Sequence, residues 1–328
     1  MALWNSSARS LRCIAVVIAA LSLNLSLIAQ QKQVSEPPVH TQIVLLGTGS
    51  PPADPDRSGP ATAIIVNGTP YLVDFGAGVV RRAKAAVADR GIAALEPTNL
   101  RVVFVTHLHS DHTVGYPDLI LTPWVLGRHA SLEVYGPTGI KAMSEHVLEA
   151  YRADFETRIK DYKETGYTGG SSPQGHAVNA HEITGAGVVY KDDNVTVTAF
   201  RTKHAMESYG YRFDTPDRSI VISGDTNPAQ ATIDACNGCD VLIHEVLTQE
   251  WLAKRPDFQK YASQFHTSTT QLAELAAKAK PRLLILYHAS ISWRPAVDNV
   301  RSTPSELLNE LTSRYSGHVV VGRDLDVF

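Results

Sequence analysis

The chain has 328 residues, 44% hydrophobic and 19% charged, which is enough apolar material for a large buried core and too little charge for a disordered chain. Its 30 basic and 33 acidic residues give a formal net charge of −3, or 28 − 33 = −5 if Arg9 and Arg12 leave with an N-terminal leader. A polyanion would find little long-range attraction, so no nucleic-acid partner is expected, and the lack of an internal repeat excludes a solenoid.

In chain order, Arg9 and Arg12 precede an apolar stretch from Cys13 to Ile28 that meets Ala29 and then polar Gln30, Gln31 and Lys32. This reads as a secretory signal peptide over residues 1–30, leaving 31–328 as one domain in an exported compartment, periplasmic or secreted. The apolar core is short for a membrane span, so none is expected after cleavage, with an uncleaved anchor as the alternative. Cys13 lies before the apolar core, where no lipoprotein cleavage site would place it.

A strand is predicted at Thr41–Leu46, then a Pro- and Asp-rich loop from Pro51 to Pro60. A hairpin follows around Gly68, between Ala63–Asn67 and Tyr71–Asp74, and a helix after Gly78. Arg101–Thr106 reads as a buried strand, and directly after it stand His107, His109, Asp111 and His112. Three imidazoles and a carboxylate within six positions form a ligand set for zinc-like ions, the bland alternative being a run of surface histidines.

Periodic apolar positions predict a helix over Ile140–Tyr162, and Thr165–Gly187 reads as a long loop, either a lid or a surface excursion. Val195–Phe200 runs toward His204, Ser219–Ser223 into Asp225, and Leu283–Tyr287 into His288. Four strand ends would thus bring ligands to one cleft. Cys236 and Cys239 stand between a helix and the strand Val241–His244, as a small disulfide or inert thiols. Helices at Ser268–Lys280 and Pro304–Ser313 and a strand at Val319–Val321 complete the α/β reading.

Together these residues resemble the metallo-β-lactamase superfamily, and within it the ribonuclease Z-like branch that also contains zinc arylsulfatases. The resemblance covers nearly all of 31–328. It is carried by Gly47, Thr48, Gly49, Ser50 and Pro51, by Asp74 with Gly76 and Gly78, by the His107–His112 motif, and by Gly136 and Pro137. It continues through His204, Ser208–Arg212, Gly224–Thr226, His244–Glu245, His266–Thr269 and His288. It implies a four-layer αβ/βα sandwich with two zinc ions, manganese or iron being possible by ligand type. One ion would take His107, His109 and His204, the other Asp111, His112 and His288, with Asp225 bridging. A water shared by the ions would then act as hydroxide on the ester.

The resemblance further implies that Asp74 orients the ligand loop and that His266 donates a proton or stabilises an anion, while Glu245 is expected to orient His266 or to stabilise the site. Asp111 and His266 are the expected catalytic residues. Ordinary readings are a turn aspartate for Asp74 and a pre-cap residue for His266. His40, His129, His146, His176, His181 and His318 have no ligand-like context. Tyr116, Trp124 and Ser292–Arg294 could touch substrate, although packing explains them as well.

One departure stands out. In ribonuclease Z proper a long arm that grips transfer RNA is inserted between the third histidine motif and the bridging aspartate. Here His204 and Asp225 are only 225 − 204 = 21 positions apart. The leading expectation is therefore an exported dinuclear zinc hydrolase of small sulfate or phosphate esters, arylsulfatase- or phosphodiesterase-like, with a homodimer allowed for. The alternatives are hydrolysis at a carbonyl centre, as by lactonases or β-lactamases, and a non-catalytic metal-binding protein.

Overall fold

Alternation along the strands sets the layers. The computed structural model describes residues 41–166, 172, 174–294 and 301–328; the signal-peptide reading and His40 fall outside them. In β1 (Thr41–Gly47), Ile43 and Leu45 face one core while Val44 and Leu46 face another, so this strand is covered on both sides. It pairs antiparallel with β2 (Ala61–Val66), which turns into β3 (Thr69–Val73) through Asn67 at φ 50° and Gly68 at φ 79°. Two left-handed residues are what a tight hairpin needs, and Asn-Gly supplies them.

Three parallel strands, β4 (Val102–Phe104), β5 (Leu132–Gly136) and β6 (Val178–Glu182), extend the sheet from β3. The second sheet holds β7 (Gly187–Lys191), β8 (Thr196–Arg201), β9 (Tyr209–Asp214) and β10 (Ser219–Ile222), paired antiparallel in that order. It continues in parallel through β11 (Val241–Glu245), β12 (Leu283–Tyr287) and β13 (Val319–Val321).

Ile43, Ile64, Tyr71 and Phe104 of the first sheet pack against Tyr211, Phe213, Ile222 and Ile285 of the second. Helices Val79–Arg90 and Tyr116–Val125 cover the outer face of the first sheet, and Gln230–Cys236, Thr269–Ala279 and Pro304–Thr312 that of the second. This is the anticipated four-layer αβ/βα sandwich. The chain's last residues return to β1, where Leu325 N–H donates to the Leu45 carbonyl at 2.7 Å and Phe328 N–H to that of Ile43 at 2.9 Å. They cover what would be an open sheet edge.

Two expectations need correcting. The single helix over Ile140–Tyr162 is two, Ile140–Ala150 and Arg152–Thr165, parted at Tyr151, whose backbone (φ −101°, ψ 10°) leaves the helical region with no Gly or Pro to announce it. The long loop Thr165–Gly187 contains β6, whose Asn179, His181 and Glu182 are exposed and mask its strand character. Residues 167–171 and 173, within the supposed lid, lie outside the described residues. Helices Gln249–Ala253 and Pro256–Phe265 went unread. Among the described residues no helix is long and apolar enough to cross a membrane. Cys236 and Cys239 form a buried disulfide.

Candidate metal centre

The chain leaves each of four buried strands and delivers polar residues to one end of the two sheets. After β4, Thr106 is locked from both sides: its N–H donates to Asp74 Oδ1 at 2.7 Å, and its carbonyl accepts from Tyr209 N–H at 2.9 Å across the sandwich. Gly224, at φ 61°, passes so close that a Cβ there would sit 2.8 Å from Thr106 Cβ, so no other residue fits between β10 and Asp225.

His107, His109 and His204 form one group. His109 Nδ1 lies 3.0 Å from Nε2 of His107 and 3.0 Å from Nε2 of His204. Tetrahedral coordination with bonds of 2.0–2.1 Å sets ligand atoms about 3.3 Å apart, so these nitrogens stand near the spacing of an ion's ligands. The second group is Asp111, His112 and His288: His288 Nε2 is 3.1 Å from Asp111 Oδ2 and 3.3 Å from His112 Nε2. His288 adopts φ 48°, a strained conformation for a non-glycine residue, of the kind that gathers at functional sites.

Asp225 stands between the groups. Its Oδ2 is 3.9 Å from Nε2 of both His107 and His204, while its Oδ1 is 3.4 Å from His112 Nε2 and 3.4 Å from His288 Nδ1. Asp225 is 3% exposed, yet Oδ1 has no hydrogen-bond partner. A buried carboxylate oxygen left so is costly unless a cation answers it. The donor set of imidazoles and carboxylates, each carboxylate oxygen turned to a different group, fits a metal site.

The protonation pattern agrees. Burial pushes His107 well below the ordinary imidazole value, lowers His109, and takes His204 down to about 4, so at neutral pH all three offer lone pairs. Burial also opposes charge on His112, but the carboxylates of Asp225 and Asp74 outweigh it and raise its pKa well above normal. A cation at its Nε2 would take that proton's place. For Asp225, burial favours the neutral acid, yet His288, His112 and His107 hold the group well below the usual carboxylate range.

Hydrogen bonds fix which nitrogen faces the centre. His112 Nδ1 donates to Asp74 Oδ2 at 2.8 Å and His204 Nδ1 to the Phe265 carbonyl at 3.0 Å, leaving both Nε2 atoms toward the groups. Asp74 thus bonds both Thr106 and His112, contacts that an orienting carboxylate would make. Beside the first group, His266 Nδ1 bonds Glu245 at 3.0 and 3.1 Å, and the other oxygen demands on Glu245 include Thr226 N–H at 2.8 Å. A ring nitrogen of His266 lies within 4.8 Å of ligand atoms of His204 and Asp225. Burial lowers the His266 pKa, but Glu245 and the nearby aspartates more than reverse this and raise it to about 9.

Other positions fall elsewhere. Tyr116 stacks on Phe75 at 4.4 Å and is buried with Trp124, so both are packing residues. Arg294 pairs with Asp56, Trp293 lies under Arg323, His181 pairs with Glu133 at the surface, and His176 stacks on Phe155. The sequence reading missed Arg57, whose buried guanidinium donates to the carbonyls of Thr48, Ala289 (2.8 Å) and Ile291 (3.2 Å), tying the loop after β1 to the segment after His288. That loop, with Ser110, Asp111 and Val114, lines a cavity of about 720 Å³ beside the second group. It also missed Phe265 and Tyr261, which the spacing of aromatic residues after Pro256 could have revealed.

A family model described as a beta-lactamase superfamily domain matches residues 69–289. The ribonuclease Z of Mycobacterium bovis (strain BCG / Pasteur 1173P2) is 32% identical over 290 residues, spanning 87% of this chain and 96% of its own. Among solved structures, the short form of human tRNase Z superposes with a TM-score of 0.61 at 21% identity, over 88% of this chain and 98% of that one. The metallo-beta-lactamase fold protein YhfI of Bacillus subtilis does so with a TM-score of 0.62 at 16% identity, over 88% and 99%. The two structures share the fold; the sequence match and the family model place this chain in the beta-lactamase superfamily, in its ribonuclease Z-like branch.

Proposed function

We propose that this metallo-β-lactamase-fold hydrolase cleaves a small phosphodiester, using two zinc ions held by His107, His109 and His204 on one side and by Asp111, His112 and His288 on the other, with Asp225 between them. The observation that carries this reading is the division of Asp225, one oxygen toward each group, with Oδ1 buried beside His112 and His288 yet without a hydrogen bond. Two divalent ions there would lower the pKa of a shared water and neutralise charge on the ester oxygens. The protein's own part is orientation and proton supply. Asp74 fixes His112, the Phe265 carbonyl fixes His204, and Glu245 holds Nδ1 of His266 so that Nε2 is the atom that gives a proton to the leaving oxygen.

Relatives named ribonuclease Z favour a phosphodiester over a sulfate ester as the bond broken. Against RNA as substrate stands the acidic balance of the chain. Export is supported by the leader-like first thirty residues and by the Cys236–Cys239 disulfide. The test is a metal-quantified preparation assayed in parallel against a phosphate diester, an aryl sulfate, a lactone, a β-lactam and a transfer-RNA precursor. The diester should be turned over fastest, with activity lost to chelation and restored by zinc. A higher rate on the lactone or the RNA would refute the proposal, and a higher rate on the sulfate would move it to the sulfatase reading.

A further inference from the structure

The helix Pro256–Phe265 carries Phe258, Tyr261 and Phe265 at i, i+3 and i+7, a spacing that gathers side chains on one face. That face is only partly consumed by a core: Phe258 packs against buried Trp251, Leu247 and Ala262, whereas Tyr261 is 37% exposed and Phe265 half-buried. Tyr261 lies 5.3 Å from the Phe258 ring and 4.9 Å from that of Phe265, centroid to centroid. The face runs without a break into the candidate centre. The Tyr261 ring is 5.7 Å from the His266 ring, and that of Phe265 is 6.1 Å from His204, whose Nδ1 donates to the Phe265 carbonyl. A rigid element bonded to one ligand thus holds an exposed aromatic surface beside the group assigned to protonate the leaving oxygen.

We propose that Tyr261, backed by Phe265 and Phe258, is a stacking platform for a planar ring attached to the leaving oxygen, directly or through a sugar, so that the substrate is a phosphate ester of an aromatic alcohol or a nucleoside. This rests on the ester-hydrolase reading above. Ring faces stack at centroid separations of about 4.5–7 Å, and a ring bound here would bury the part of Tyr261 now in water. The platform sits on the His266 side, which makes the leaving group, not the retained group, the one recognised. Tyr261 is a specificity residue, since nothing in its position requires it to exchange protons.

The test is calorimetric titration of the zinc-loaded protein with three ligands that share a phosphoryl head: 1-naphthylmethylphosphonate, adenosine 5′-monophosphate and methylphosphonate. One or both ring-bearing ligands should bind roughly tenfold tighter than methylphosphonate, and the tighter of the two distinguishes an aryl from a nucleoside source. Tyr261→Ala and Tyr261→Leu should lose that advantage while keeping methylphosphonate affinity, zinc content and melting temperature; Tyr261→Phe should keep it. Equal affinity for all three ligands, or an advantage that survives Tyr261→Leu, overturns the platform. Failure of the underlying reading looks different: no phosphate ester is turned over by the zinc-loaded wild type, whatever its organic group.

Discussion

Replacing Asp74 by Asn separates the two groups of the centre. Asp74 is 1% exposed and sits at φ 61°, a left-handed conformation that Asn tolerates almost as well as Asp. Its Oδ1 accepts from Thr106 N–H at 2.7 Å, a bond the amide oxygen of Asn retains. Its Oδ2 accepts from His112 Nδ1 at 2.8 Å, and there the amide would present N–H₂ to an N–H donor. The imidazole must then carry its proton on Nε2, the atom that faces Asp225 and His288, or turn away. Loss of one hydrogen bond to a charged group costs about 2 kcal/mol, which is roughly thirtyfold in affinity for an ion at His112 and lies within the usual range for outer partners of metal ligands. Zinc titration against a competing chelator should show the ion at His112 weakened more than the other, because His112 bonds Asp74 directly whereas His107 meets it only through the Thr106 hydroxyl, 3.0 Å from its Nδ1. Equal weakening of both ions, or of neither, would refute the assignment of His112 and of its orienting partner.

Further outcomes follow from the same geometry. His109→Ala removes the nitrogen that faces both His107 and His204, so zinc content measured by plasma emission should fall along with activity. His266→Ala should keep its zinc and slow turnover by about 10²–10⁴, the range for a general acid; lost zinc would make His266 a ligand instead. Arg57→Met cuts the ties to the Ala289 and Ile291 carbonyls and should weaken the ion at His288 with a fall in melting temperature, whereas unchanged zinc affinity would leave Arg57 a purely structural strut. His244 is fully buried, and burial takes its pKa from 6.5 to about 4. Because the unfolded chain takes up this proton first, stability should fall as the pH drops from about 6.5 to 4, by about 3 kcal/mol from this group. Acid titration of urea midpoints should show that loss shrink in a folded His244→Gln variant.

Much of the fold was legible because several of its strands are almost wholly apolar. Arg101–Thr106, Ser219–Ser223 and Leu283–Tyr287, buried on both faces from their second or third residue on, read as strands without any tertiary information. The proposed ligands were legible for a related reason: they stand where such strands stop, and a motif dense in histidine has few other uses. What escaped was polar or set by tertiary contact. β6 is an edge strand with mostly exposed side chains, and Tyr151 parts two helices with no breaker residue. The partners of the ligands were the hardest to foresee. A backbone carbonyl serves His204 as well as a carboxylate serves His112, and no residue type marks Phe265 for that task. Arg57 is similar, since its role comes from carbonyls more than 230 positions away in the chain.

Anomalous diffraction at the zinc edge from crystals of the loaded protein puts the central claim to its most direct test. Two peaks about 3.5–4 Å apart, one on each side of Asp225, with His204 near the first and His288 near the second, are the predicted result. A single peak, or two peaks with Asp225 bound to neither, would contradict it.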